Sequence, residues 1–296
     1  MTNQFDAALG GLLNNIPNNR IAGDYTDTEG FLCCGKCYTR KECDVDAFGS
    51  KQRVSCACKC KLEELEREKA AKKKAAFDQR IAALQREGIT DKAYLNHTLA
   101  ADDGRNQKIS NVCQKYLDSW EEMAADNIGI LFYGGVGTGK SFYACCIANA
   151  LLCRLESVWV TDLPTVIDQL QDFNQRQNIV DRLRSCDLLV IDDLGVERGT
   201  GFSLEKAYNV INTRAKAGKP IIATTNLTLE DLQNPPNIEY ARIYDRVLEM
   251  CPIRLKLSGE SRRKDNAERK RQKAKEIMQA ASEKPAYGDD YSEVYK

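Results

Sequence analysis

The octapeptide Gly134-Gly135-Val136-Gly137-Thr138-Gly139-Lys140-Ser141 follows an apolar run at 128–133 and opens a helical pattern at 142–155. Few short segments constrain a fold more tightly. It satisfies G-x-x-x-x-G-K-[ST] at every required position, and it stands in the strand–loop–helix context that the motif needs. Glycines let successive backbone N–H groups curl around a β-phosphate, and the helix N-terminus behind them adds positive potential. Lys140 is placed to reach β- and γ-phosphate oxygens, and the Ser141 hydroxyl to ligate Mg²⁺. With Phe142, the next residue, Gly134 to Ser141 form the expected nucleotide-binding stretch, and ATP with Mg²⁺ is the expected ligand.

A parallel sheet should surround this loop. Apolar runs at 128–133, 158–161, 187–191, 221–225 and 253–257 read as strands. Helical patterns at 142–155, 163–174, 204–217 and 239–249 separate them. Strands apolar on both sides, alternating with helices, predict an α/β fold with helices on both faces of the sheet. The run Leu188-Leu189-Val190-Ile191 ends in Asp192 and Asp193. Two carboxylates at the end of a buried strand are costly unless used; Asp192 suits a magnesium site and Asp193 the orientation of an attacking water. Asn226, at the end of the next strand, would share the same crevice and contact the γ-phosphate or the water. An N-capping turn is its alternative. Arg242 and Arg246 lie four apart on one helical face, either as solvated surface or as a finger supplied to a neighbouring subunit.

Charge gives no direction towards nucleic acid or membrane, because 43 basic and 43 acidic residues cancel. No apolar run approaches the ~18 residues of a membrane span, and the first residues lack a secretory signal; a cytoplasmic protein is expected. Thirteen cysteines in such a compartment read as thiols rather than disulfides. Seven cluster between Cys33 and Cys60, too close for a self-sufficient core and well suited to Zn²⁺. The spacing favours Cys34, Cys37, Cys58 and Cys60, with Cys33, Cys43 and Cys56 as substitutes. Cys113, Cys145, Cys146, Cys153, Cys186 and Cys251 are expected in the core, and His97, the single histidine, has no assigned role.

The organisation expected is therefore a zinc-binding module at 1–60, a helical linker at 61–97, an ATPase domain at 98–258, and a basic then acidic tail at 259–296. A weak apolar face (Phe5, Ala8, Leu9, Leu12, Leu13) marks the lead-in. The linker's charge suits a solvated helix better than a coiled coil. Arg176, Arg182, Arg184 and the Arg198 loop are candidate single-strand contacts, although a solvated face explains them equally.

The blocks GGVGTGKS, DLLVIDDLG, LEKAYNVINTRAKAGKPIIATTNLTLEDL, ARIYDRVLEMC and GESRR resemble, in order and spacing, the AAA+ helicase loaders of the DnaC/DnaI type and, more broadly, the DnaC/IstB-like ATPases. The likeness covers roughly 98–263. It implies a P-loop NTPase with an AAA+ core and no lid domain, self-association through the ATPase domain, and Arg246, with Arg242 beside it, as the trans-acting finger. It further implies that Arg262 and Arg263 are surface or single-strand contacts. The partners implied are single-stranded DNA and a hexameric DnaB-type replicative helicase, which the N-terminal zinc module would engage. An IstB-like transposition helper, recruiting a transposase to DNA, is the alternative.

Overall fold

In the computed structural model, residues 20–47, 50–195 and 201–282 are described. The apolar face at Phe5–Leu13, the Arg198 loop and the acidic tail beyond 282 lie outside them. The chain divides into two compact units at Gln79/Arg80.

The first unit is built from two small antiparallel pairs. Strand β1 (Tyr25–Thr26) pairs with β2 (Leu32–Cys33), and β3 (Glu42–Ala47) with β4 (Ser50–Ser55). So little chain buries almost no apolar core, and polar contacts substitute. Lys41 and Asp24 form an ion pair of 2.6 Å with side chains only 5% and 1% exposed. Backbone donation from Ile21, together with Lys41, holds the Asp24 carboxyl at about 2. Phe31 is sandwiched between the guanidinium groups of Arg40 and Arg53, at 4.2 and 4.0 Å from its ring centre. Helix α1 (Lys59–Gly88) follows, its length favoured by a run of Ala, Glu, Lys and Arg without Pro. Leu62 and Phe77 on it are exposed, as a solvated helix requires.

The second unit holds a five-stranded, wholly parallel sheet. Its strands are β5 (Ile130–Gly134), β6 (Val158–Asp162), β7 (Leu188–Leu194), β8 (Ile221–Thr225) and β9 (Ile253–Leu257), in the spatial order β6-β7-β8-β5-β9. Side chains alternate across it. Leu131, Trp159, Leu189, Ile191, Ile221 and Ala223 face one apolar layer. Ile130, Phe132, Val158, Val160, Leu188, Val190 and Ile222 face the other. Both faces being covered is why these strands read as continuous apolar runs instead of alternating ones.

Helices α2 (Gln107–Asp118), α3 (Trp120–Ala125) and α4 (Lys140–Cys153) supply the second layer. The first is supplied by α5 (Leu163–Gln171), α6 (Phe173–Ser185), α7 (Gly201–Lys216), α8 (Leu229–Gln233) and α9 (Ile238–Met250). Helices α2, α3, α6 and α8 were not expected as separate elements. The helix expected at 163–174 ends at Gln171, because Asp172 leaves helical geometry and caps α6 through Asn174 N. Five of the six scattered cysteines are buried; Cys153 is exposed at the end of α4, since the last turn of that helix emerges from the layer. The basic start of the tail forms helix α10 (Arg262–Ser282) after β9. No described helix is long and apolar enough to cross a membrane.

Candidate nucleotide and metal sites

Strand order converges the site. Strand β8 lies between β5 and β7, so its C-terminal end touches both the P-loop and the carboxylates of β7. The loop is shaped by Gly134, Gly137 and Gly139, with φ of +131°, +77° and +105°. Those left-handed conformations are strained for any residue with a Cβ. They let the loop curl tightly into the start of α4. Thr138 closes the turn by donating to the Gly135 carbonyl at 2.9 Å.

Lys140 is 5% exposed and uses its three donors at once. Its Nζ donates to the carbonyls of Gly134 and Gly135 at 3.0 and 2.8 Å, and to Asn226 Oδ1 at 2.7 Å. Burial lowers its pKa, opposed by the charges of Asp193 and Asp192. Asn226 donates in turn to Asp193 Oδ1 at 3.3 Å. Lysine, amide and carboxylate therefore form one chain across three strand ends.

The β7–β8 register shifts between Ile191 and Leu194, a bulge that re-aims the two aspartates. Asp193 carries a φ of +53°, uncommon for a residue other than glycine and typical of sites where the surroundings enforce a geometry. Its backbone N–H donates to Thr224 Oγ1 at 2.9 Å, and the Thr224 hydroxyl donates to Asp192 Oδ1 at 2.6 Å. Tyr94, from the short turn Lys92–Tyr94, donates to the other oxygen, Asp192 Oδ2, at 3.1 Å. Neither Thr224 nor Tyr94 was a sequence candidate.

Tyr94, Asp193, Asn226 and Lys140 border a cavity of about 480 Å³. Lys140, Ser141, Asp193 and Asn226 line one end; His97, Phe142, Arg105 and Arg262 line another part. Arg262 is no surface residue. Its side chain is 18% exposed. It grips Asp103 with Nε and Nη2, at 2.9 and 2.7 Å, and donates Nη1 to the Thr138 carbonyl at 2.9 Å. Its backbone N–H reaches the Gly137 carbonyl at 2.9 Å. The first turn of α10 is thus fastened to the outer side of the P-loop, and Arg263 and Arg269 line the same cavity. Among the described residues, α10 is the one helix that follows β9.

Arg242 and Arg246 stand elsewhere. Arg242 is exposed over the Tyr208 ring at 4.3 Å, and Arg246 pairs with Glu249 at 2.7 Å. Neither lines the cavity of its own chain. Arg182 lies at 4.3 Å over the Trp159 ring and donates to the Glu87 carbonyl, contacts that anchor α6. Arg176 and Arg184 are exposed.

In the first unit the sulfurs of Cys34, Cys37, Cys58 and Cys60 all lie within 4.8 Å of one another. Cys34–Cys60 and Cys58–Cys60 separations are 3.6 and 3.3 Å, near the ~3.8 Å edge of a tetrahedron with Zn–S bonds of ~2.3 Å. The donor set fits Zn²⁺. A hydroxyl contact from Thr39 brings the Cys37 thiol down to about 5, whereas hydrogen bonding with Cys58 pushes Cys60 up to about 12. Cys33 and Cys56 point instead to the carbonyls of Phe31 and Arg40.

Comparison with known proteins follows the same lines. The family model of IstB-like ATP-binding proteins matches residues 50–272. Phage-like element PBSX protein XkdC of Bacillus subtilis is 30% identical over 160 residues, covering 50% of this chain and 59% of that protein. The replicative helicase loader DnaI of the same organism is 26% identical over 162 residues, covering 50% of this chain and 51% of that protein. The chain thus spans between half and three-fifths of the length of these relatives. A crystal structure of DnaI aligns with a TM-score of 0.48 at 21% identity, over 59% of this chain and 94% of that one. With three quarters of its length matched by that family model, the chain belongs to the IstB-like ATP-binding proteins.

Proposed function

We propose that this chain hydrolyses ATP and uses the nucleotide cycle to load a hexameric DnaB-type replicative helicase onto single-stranded DNA, as a cytoplasmic DNA-replication protein. The observation that carries the catalytic half is the hydrogen-bonded chain Lys140–Asn226–Asp193 beside Asp192. Backbone N–H groups of residues 134–142 cradle the phosphates, and Lys140 exchanges its carbonyl partners for β- and γ-oxygens. Asp193, held by Asn226, orients the attacking water and accepts its proton. Ser141 and Asp192 hold Mg²⁺, which when bound neutralises charge on the phosphates.

Arg246, with Arg242 beside it, serves a neighbouring subunit, since both lie outside their own cavity. Turnover then depends on self-association through the ATPase domain. Cys34, Cys37, Cys58 and Cys60 hold a structural Zn²⁺, and the module it folds (1–60) engages the helicase; the linker (61–97) joins it to the ATPase domain (98–258) and the tail (259–296).

The transposition-helper reading is compatible with the same family. What favours the loader is the four-thiol module in front of the ATPase core, together with relatives named as replicative helicase loaders. The test is capture of the host or phage replicative helicase by the full chain, with and without ATP. Nucleotide-sensitive capture is expected; capture of a transposase and not of the helicase would transfer the proposal to the alternative.

A further inference from the structure

The magnesium carboxylate proposed above is held from outside the sheet. Asp192 Oδ1 receives the Thr224 hydroxyl from the adjacent strand, but Oδ2 receives the Tyr94 hydroxyl from a segment that precedes the P-loop. That segment is itself fastened to the P-loop helix. Asn149, 4% exposed on α4, donates Nδ2 to the Tyr94 carbonyl at 2.7 Å and to the His97 carbonyl at 3.0 Å. The Tyr94 ring packs against His97 at 5.5 Å, and His97 against Phe142 at 5.2 Å. Asp91 caps the turn through Ala93 N at 2.9 Å. Backbone and ring are therefore fixed independently of the hydroxyl, which leaves the hydroxyl free to act on Asp192 alone.

We infer that Tyr94 is a positioning residue for the metal: its hydroxyl orients the Asp192 carboxylate so that the remaining lone pairs face the magnesium site. A carboxylate offers about four acceptor positions, so two remain after Thr224 and Tyr94 are served. Partners that orient a metal-binding carboxylate typically change metal affinity by about 10- to 100-fold when removed. Tyr94 also borders a second cavity, of about 350 Å³, that reaches Asp192 from the side of Asp162 and Asp91. Tyr94 and Asp193 line both cavities, and Asp192 lines the second.

This inference rests on Asp192 being the magnesium carboxylate, and the experiment separates the two. The full chain is titrated with Mg²⁺ at fixed fluorescent ATP analogue, for the wild type, Tyr94→Phe and Asp192→Asn, and the analogue's affinity is also measured in EDTA. Phenylalanine keeps the ring packing and removes only the hydroxyl. For Tyr94→Phe the Mg²⁺ midpoint is expected to rise about 10-fold, with affinity in EDTA unchanged within about twofold. A wild-type or lowered midpoint in Tyr94→Phe, with a defective Asp192→Asn, overturns the positioning role alone. Equal losses with and without Mg²⁺ also overturn it, because they mark a packing effect. If Asp192→Asn keeps the wild-type midpoint, the magnesium assignment fails and the Tyr94 inference falls with it.

Discussion

Arg214 lets the coupling between fold and site be tested quantitatively. It is fully buried in the last turn of α7, and backbone carbonyls hold it. Nη1 donates to Leu183 O and Cys186 O at 3.1 and 2.6 Å; Nη2 donates to Asp187 O and Pro220 O at 2.9 and 2.8 Å; Nε adds Pro220 O at 3.3 Å. Those acceptors are the open end of α6 and the residues immediately before β7 and β8. A helix end leaves such carbonyls without internal partners, and a planar fork of donors suits several of them at once. Burial lowers the guanidinium pKa, yet it stays charged.

Arg214→Met keeps length and removes every donor, leaving four carbonyls without this partner. Each orphaned buried acceptor costs about 1–3 kcal/mol before relaxation, and measured losses from breaking a buried ionic network cluster near 3–5 kcal/mol. With a urea slope of about 2–3 kcal/mol/M, the midpoint should fall by about 1–2 M. Both tryptophans, Trp120 and Trp159, lie in the second unit, so intrinsic fluorescence reports its unfolding alone. Arg214→Lys restores one donor group without the fork, and its loss should be intermediate. A midpoint shift below about 0.3 M for the methionine variant would refute the account.

Lys140→Ala should weaken binding of an ATP analogue by about 10- to 100-fold, the worth of one charge-assisted hydrogen bond of ~1.5–3 kcal/mol; calorimetry that finds wild-type affinity removes the P-loop assignment. Arg246→Ala should leave that affinity intact and lower turnover in the self-associated state by about 10³-fold, whereas full turnover would return the arginine to the surface. Metal analysis of reduced protein should find about one zinc per chain, absent in Cys58→Ser/Cys60→Ser, and chelation should unfold the hairpins without changing tryptophan fluorescence; a wild-type zinc content in the double variant contradicts the ligand set. Burial lowers the His97 pKa, so its neutral form contributes stability that is complete above about pH 6.5 and is lost as pH falls through the lower folded value. His97→Phe should therefore lose less urea resistance than the wild type between pH 7.5 and 5.5, and equal slopes would remove His97 as the cause.

What the sequence made legible is what neighbouring residues dictate. The five strands and the P-loop are local: each depends on an apolar run, a glycine spacing or a helix start, and each stands within a few residues of its expected place. The four zinc candidates also follow from spacing, because C-x₂-C and C-x-C leave little freedom in a small loop. Helix α2 carries its signal in Ser110, Cys113, Tyr116 and Leu117 at helical spacing, but the polar residues between them mask the face. Helix α6 buries only Ile179 and Leu183, so its sequence carries too weak an apolar face to announce it.

The partners that complete the site obey no local rule. Tyr94 meets Asp192 across 98 positions, and Arg262 meets Asp103 across 159. The first pair joins a flanking segment to a central strand and the second joins two flanking segments to each other, and both are hydrogen bonds a periodicity cannot announce. Arg262 shows the consequence. The resemblance implied a surface or single-strand contact for it; in the fold its neighbours are Asp103 and the Thr138 carbonyl, and the cost of desolvating it is offset by a bidentate pair. The same reasoning separates it from Arg242 and Arg246, which keep solvent and surface partners. An arginine whose donors are already filled by its own chain is a fixed part of the site, and only those left exposed at the edge can serve a second subunit.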